Sequence, residues 1–149
     1  MPPAIEVVTM PPTLLASVSE HVAWSDFSKA IPRLLGEIWE FFKTAPVRPA
    51  GHNVVVYHDP GPKGAYLEAG VQISGEFPSG SRVICSRTPS GQAAHAVHFG
   101  PYNELGKAHD AVIEFCNQRG FGEGVHWEVY GDWNESPNEL RTDVYRLIS

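Results

Sequence analysis

Apolar and polar positions change period several times along the chain, and each change marks an element. Between Leu14 and Val22 they alternate well enough for a strand, with its period of two. From Phe27 the spacing switches to that of a helix: Phe27, Ile31, Leu34, Leu35, Ile38, Trp39 and Phe42 form one stripe, with Ser25 placed to cap it. Trp39 and Phe42 are read as core. Pro32 lies inside the stripe, where it marks the first turn of the main helix or kinks its start. Residues 45–51 form a Pro/Gly break, and 53–59 and 65–74 then read as a hairpin around the loop at 60–64. The second half follows the same order. Residues 81–87 form a short strand or an extended link, 92–99 form a strand, and Gly100-Pro101 turns a corner. Leu105, His109, Val112, Ile113 and Cys116 give a second helical stripe that stops at Gly120. Strands over 126–133 and 141–148 close the chain. Residues 1–12 hold four prolines and read as an irregular lead-in, with a short strand over 5–8.

The two halves align. Trp24-Ser25-Asp26-Phe27-Ser28-Lys29-Ala30 falls without a gap on Tyr102-Asn103-Glu104-Leu105-Gly106-Lys107-Ala108, and Val56-Tyr57-His58-Asp59 falls on Val129-Tyr130-Gly131-Asp132. This pattern predicts an internal duplication, with pseudo-repeats over about 13–75 and 81–149 in a single domain spanning 13–149. The expected fold is α+β: two strand–helix–strand–strand units forming one mainly antiparallel sheet, with two helices on one face and a central groove.

Composition narrows the partners. The chain has 149 residues with 11 basic and 17 acidic side chains, a net charge of −6. That balance argues against nucleic acid and anionic membrane as main partners. The 12-residue lead-in is too short and Pro-rich for a helix-turn-helix, and no apolar run approaches a membrane span. Cys85 and Cys116 have no metal-type or disulfide-framework spacing, which suits a reducing cytoplasm. No metal site is expected: His95 and His98, three apart on a strand, point to opposite faces. Gly75 to Gly80 lacks the Lys and the strand–loop–helix setting of a phosphate loop, so no cofactor is expected.

The chemistry concentrates in His126-Trp127-Glu128-Val129-Tyr130-Gly131-Asp132-Trp133. On a strand His126, Glu128 and Tyr130 share one face, and Trp127, Val129 and Trp133 share the other. A carboxylate amid aromatics is costly if buried without a partner. Glu128 therefore lies on an edge in water, pairs with an arginine such as Arg141, or sits in a pocket that receives a ligand. Its counterpart in the first half is Val55, so an acid replaces an aliphatic on an otherwise similar scaffold.

Four pieces in order resemble one known family. They are Tyr66-Leu67-Glu68-Ala69-Gly70-Val71, His98-Phe99-Gly100-Pro101-Tyr102, Trp127-Glu128-Val129-Tyr130 and Arg141-Thr142-Asp143-Val144-Tyr145. The chain from about residue 13 onward is similar to the GyrI-like small-molecule-binding domain, known as the effector-binding half of multidrug-responsive transcription activators and as a stand-alone protein. The resemblance implies a duplicated fold and an aromatic pocket whose acid receives cationic, lipophilic compounds. Glu128 matches that acid. In one branch of stand-alone members the pocket is thought to hydrolyse strained cyclopropane groups of alkylating natural products, which would make Glu128 a general acid/base and Tyr130 a donor to the oxygen where charge develops.

The expected function is thus binding of amphipathic, cationic drug-like molecules, with such a hydrolase as the alternative. The expected binding residues are Glu128 with Tyr130 on its face, Tyr57 in the equivalent place of the first half, and Trp24 and Tyr102 opening the two helices. Tyr66, Glu68 and His98 are further candidates, Glu68 facing the groove or serving the sheet, and His98 reaching the pocket mouth or holding a turn.

Overall fold

A computed structural model describes residues 4–80 and 82–148. Residues 1–3 of the expected lead-in, with Ser81 and Ser149 at the ends of the second expected repeat, lie outside the described residues. The fold is α+β, with two α-helices and eight strands among the described residues, and it divides into two compact units. One is Pro12–Thr88; the other combines the chain up to Pro11 with that from Pro89 onward.

The Pro12–Thr88 unit contains β2 (Leu14–Ala23), α1 (Phe27–Phe42), β3 (Pro49–His58), β4 (Gly64–Ile73) and β5 (Ile84–Arg87). Its strands pair antiparallel in the order β3-β4-β2-β5. α1 begins after a short 3-10 turn at Trp24–Asp26, so Asp26 rather than Ser25 precedes its first residue. Pro32 is the sixth helical residue, beyond the first turn. Its missing N–H concerns the carbonyl of Ser28, and both residues are exposed, where water can serve that group. Ala30, Leu34, Ile38 and Phe42 form the buried stripe, each one turn from the next. Trp39 is not core: it is 45% exposed, its ring meeting that of Phe42 edge to face at 5.4 Å.

The second unit contains β1 (Glu6–Met10), β6 (Gly91–Phe99), α2 (Leu105–Gln118), β7 (His126–Tyr130) and β8 (Arg141–Leu147). Its order is β1-β6-β8-β7, again antiparallel. Each unit therefore runs strand, helix, strand, strand and takes its outer strand from beyond that run. β5 pairs with β2, the two compact units meet along the chain at Thr88–Pro89, and β1, paired with β6, makes a strand of residues 6–10 of the expected lead-in.

α2 also follows a 3-10 turn, Tyr102–Glu104. It ends in a Schellman arrangement: Gly120, at φ 72°, donates to Asn117 O (3.2 Å), and Phe121 donates to Cys116 O (3.0 Å). Its buried residues Leu105, Ala108, Val112 and Cys116 pack with Ala94, Ala96 and Val144 of the sheet. The three alanines keep this interface thin, so a half-buried residue beside the stripe can reach the sheet. β7 stops at Tyr130, short of the expected Trp133, because the chain turns away through a loop in which Asn134 Oδ1 accepts the Ser136 N–H (2.8 Å); Trp133 is 73% exposed.

Candidate functional site

Glu128 is not an edge residue: it is 2% exposed, in the middle of β7. Its cross-strand partner Val144 belongs to the core under α2, so the carboxyl faces that helix. Two donors meet it there. Tyr130, two residues on and on the same face, donates its phenol O–H to Oε1 at 2.6 Å. His109, on α2, places Nε2 2.7 Å from Oε2. With a donor on each oxygen, the group is held as charge-assisted acceptors usually are. Arg141 does not serve it; its guanidinium lies on Asp143 instead, Nε 2.8 Å from Oδ1.

The arrangement extends in both directions. The edge of one ring of the Tyr102–Tyr130 pair meets the other at 5.4 Å and 69°, and Tyr102 is 43% exposed, so this pair leads from solvent toward the acid. On the other side His109 Nδ1 lies 3.3 Å from Nδ1 of His126. Burial first, then the charges of His109 and Arg146, lower the pKa of His126 to about 4, so its ring is neutral at neutral pH. Arg146, directly across from His126 on β8, is 5% exposed and donates to Gly122 O at 3.0 Å. Thr142, directly across from Tyr130, is fully buried, and its Oγ1 has no partner among the described residues.

The match of family and chain decides the assignment. The GyrI-like small-molecule-binding domain matches residues 3–148. The chain is a GyrI-like domain. No curated protein matches its sequence, but solved structures share its fold. The C-terminal domain of EcmrR is similar at a TM-score of 0.84 and 19% identity, over 100% of this chain and 99% of that one. SAV2435, solved bound to tetraphenylphosphonium, gives 0.73 and 9% over 98% and 94%. A hydrolase from Listeria innocua gives 0.64 and 15% over 97% and 91%.

The other candidates of this GyrI-like domain are described unit by unit. Tyr102 joins Glu128 and Tyr130, as described. His98 holds the neighbouring turn, its Nε2–H donating to Pro101 O at 3.1 Å. In the Pro12–Thr88 unit, Trp24 donates Nε1–H to Gly61 O (2.7 Å) and packs its ring on Phe27 (4.8 Å), which stacks on Tyr57 (5.6 Å, 6°). Tyr66 and Glu68 lie on the opposite face of that sheet. Glu20 turns toward α1, where it pairs with Arg33, and Leu67 lies across from Glu20; the residues on either side of Leu67 therefore point away from the helix. Among the described residues no group of three or more His, Cys, Asp or Glu side chains could hold a metal ion, and no helix is long and apolar enough to cross a membrane.

His109 and His126 are the site residues that sequence reasoning missed. A signal existed one residue past the aligned block: continuing the ungapped match places His109 on Ile31, just as Glu128 falls on Val55. An acid–imidazole pair thus stands where the first half has two aliphatics.

Glu68 serves the sheet. It is 7% exposed and accepts from Ser17 Oγ (2.7 Å), Ser86 Oγ (2.6 Å) and His58 Nε2 (2.8 Å). Burial raises its pKa, but the donors, led by His58, outweigh it and hold the carboxyl below its ordinary 4.5. The bond to Glu68 raises His58 above its ordinary 6.5. Glu68 therefore contributes stability above the ordinary carboxyl range and loses it as pH falls through its lowered value. His58 contributes below the ordinary imidazole range and loses it as pH rises through its raised value. The pair works best between those ordinary values, 4.5 and 6.5. His58→Gln is expected to lower the urea midpoint more at about pH 5.5 than at about pH 9. An equal loss at both would assign the effect to packing.

Proposed function

We propose that this GyrI-like domain binds lipophilic, cationic small molecules, with Glu128 supplying the charge and Tyr102 and Tyr130 the aromatic contact. One observation carries the reading: a carboxylate only 2% exposed is linked to a partly exposed tyrosine pair through the 2.6 Å bond from Tyr130. A phenol that donates to a carboxylate becomes more electron-rich, which strengthens the attraction of its ring for a cation. Such a ligand needs no hydrogen-bond donor of its own, so it leaves the Tyr130 and His109 bonds in place. SAV2435, of the same fold, was solved with tetraphenylphosphonium, a cation of this kind. The acidic surface, net −6, supports small cations rather than nucleic acid as partners. Free Cys85 and Cys116 support a cytoplasmic location.

The test is titration with tetraphenylphosphonium against neutral triphenylphosphine oxide, followed by tryptophan fluorescence. The cation is expected to bind with a Kd on the order of micromolar, about −8 kcal/mol, and the neutral compound at least tenfold more weakly. Equal affinities would remove Glu128 from the reading.

A second reading rests on the contact between Glu128 and His109, an acid–imidazole pair suited to proton transfer. In it the pair takes a proton from water, the resulting hydroxide opens an electrophilic cyclopropane, and the ring carbon left with the electron pair is protonated in turn. Product exceeding one equivalent of protein would favour this hydrolase over the binder.

A further inference from the structure

One oxygen of Glu128 already has an internal occupant. His109 Nε2 reaches Oε2 at 2.7 Å from α2, a different element from the one that carries the acid. The other nitrogen of the same ring, Nδ1, lies 3.3 Å from Nδ1 of His126, and two nitrogens in such a contact share one proton. Either ring can provide it. With one proton on His109, that proton sits on Nε2 toward Glu128, and His126 Nδ1–H donates to His109 Nδ1. With two, His109 Nδ1–H donates to His126 Nδ1, and the proton of His126 moves to Nε2. The same positions of carbon, nitrogen and oxygen therefore serve a site with a net negative charge and a site without one.

The surroundings decide which ring takes the second proton. His126 faces His109 on one side and the cation of Arg146 across the strand pair, and both oppose a charge on it, adding to burial. His109 faces the carboxylate of Glu128, whose second oxygen is held by the phenol of Tyr130. α2 also carries Lys107, Asp110 and Glu114, all three exposed to water, and the thiol of Cys116, which burial pushes up and keeps neutral.

We propose that His109 is the resident counter-ion of the cation site and sets its specificity: doubly protonated, it neutralises Glu128 and shuts cations out, and singly protonated, it leaves the charge of Glu128 to the ligand. Each cation bound to the closed form then releases one proton, which leaves His109 Nδ1 for solvent as His126 turns donor. Neutral ligands of the same shape are indifferent to this exchange. The inference rests on the reading of Glu128 as cation acceptor.

Calorimetry with tetraphenylphosphonium tests it, in two buffers of different ionisation enthalpy at several values between about pH 5 and pH 8. Proton release is expected to approach about one per cation at the acid end, with affinity there rising ~10-fold per pH unit and levelling off above. His109→Gln retains an N–H donor for Glu128 but takes up no proton. It is expected to bind the cation more tightly than wild type at the acid end, with no release and a flat profile. Absence of tetraphenylphosphonium binding at every pH would overturn the cation reading itself. Binding without proton release, or release that persists in His109→Gln, would overturn the role of His109 alone. If that variant fails to fold, the wild-type proton count still decides, since zero release across the range is incompatible with a resident counter-ion.

Discussion

Glu128→Gln is expected to weaken tetraphenylphosphonium binding ~10- to 100-fold while changing the affinity for triphenylphosphine oxide by less than a few-fold. Hydrogen bonds and contacts to a charged group are worth ~1.5–3 kcal/mol, and each 1.4 kcal/mol is about tenfold. Gln keeps the shape of Glu and one acceptor oxygen, so Tyr130 retains a partner for its O–H. The amide NH₂ then faces His109 Nε2, where the acid accepted a bond at 2.7 Å. A change of tautomer solves this: His109 accepts at Nε2 and donates from Nδ1 to His126, which lies 3.3 Å away. The fold should therefore survive the change, and a thermal melt run beside the fluorescence titration would verify that. A loss of equal size for the cation and the neutral compound would make Glu128 a structural residue.

The second large effect is on stability. Converting the pair to its first-half counterparts, Glu128→Val with His109→Ile, is expected to leave the protein within about 1 kcal/mol of wild type or to stabilise it, because well-packed apolar residues often replace a buried polar pair without loss. The single changes should behave differently. His109→Ile takes the imidazole donor from a carboxylate that is 2% exposed, and breaking such a pair costs ~3–5 kcal/mol. Glu128→Val takes the acceptor from both the Tyr130 O–H and the His109 N–H, at ~1–3 kcal/mol for each group left unpaired and buried. Tyr130 is only half-buried, so water offsets part of its share. Urea unfolding of the four proteins gives the coupling directly, and a cycle that closes additively would mean that the two side chains do not depend on each other. The double variant should also lose cation binding, which separates stability from function at this site.

Much of the fold followed from the sequence by itself. The periods of two and 3.6 located both helices and most of the strands, because burying one face is a local demand written in successive residues. Gly120 ended α2 where a left-handed residue was needed. The alternation on β7 put Glu128 and Tyr130 on one side and Trp127 on the other, and Trp127 is indeed stacked on Tyr145 away from the acid. What the sequence left open was long-range. β1 and β5 could be read as extended segments, but they pair with strands distant along the chain or outside the repeat, so no local pattern announces their partners. Glu68 read equally well as facing the groove or serving the sheet, and only the sheet register turned it away from α1 toward two serines and a histidine. The partner of Glu128 was decided by tertiary packing alone. His109 sat in a stripe of apolar positions and read as part of a helix face, nineteen residues before the acid. Seating that helix on a thin layer of alanines turned the ring onto the carboxylate, because the rotation and depth of a helix on a sheet depend on every side chain between them.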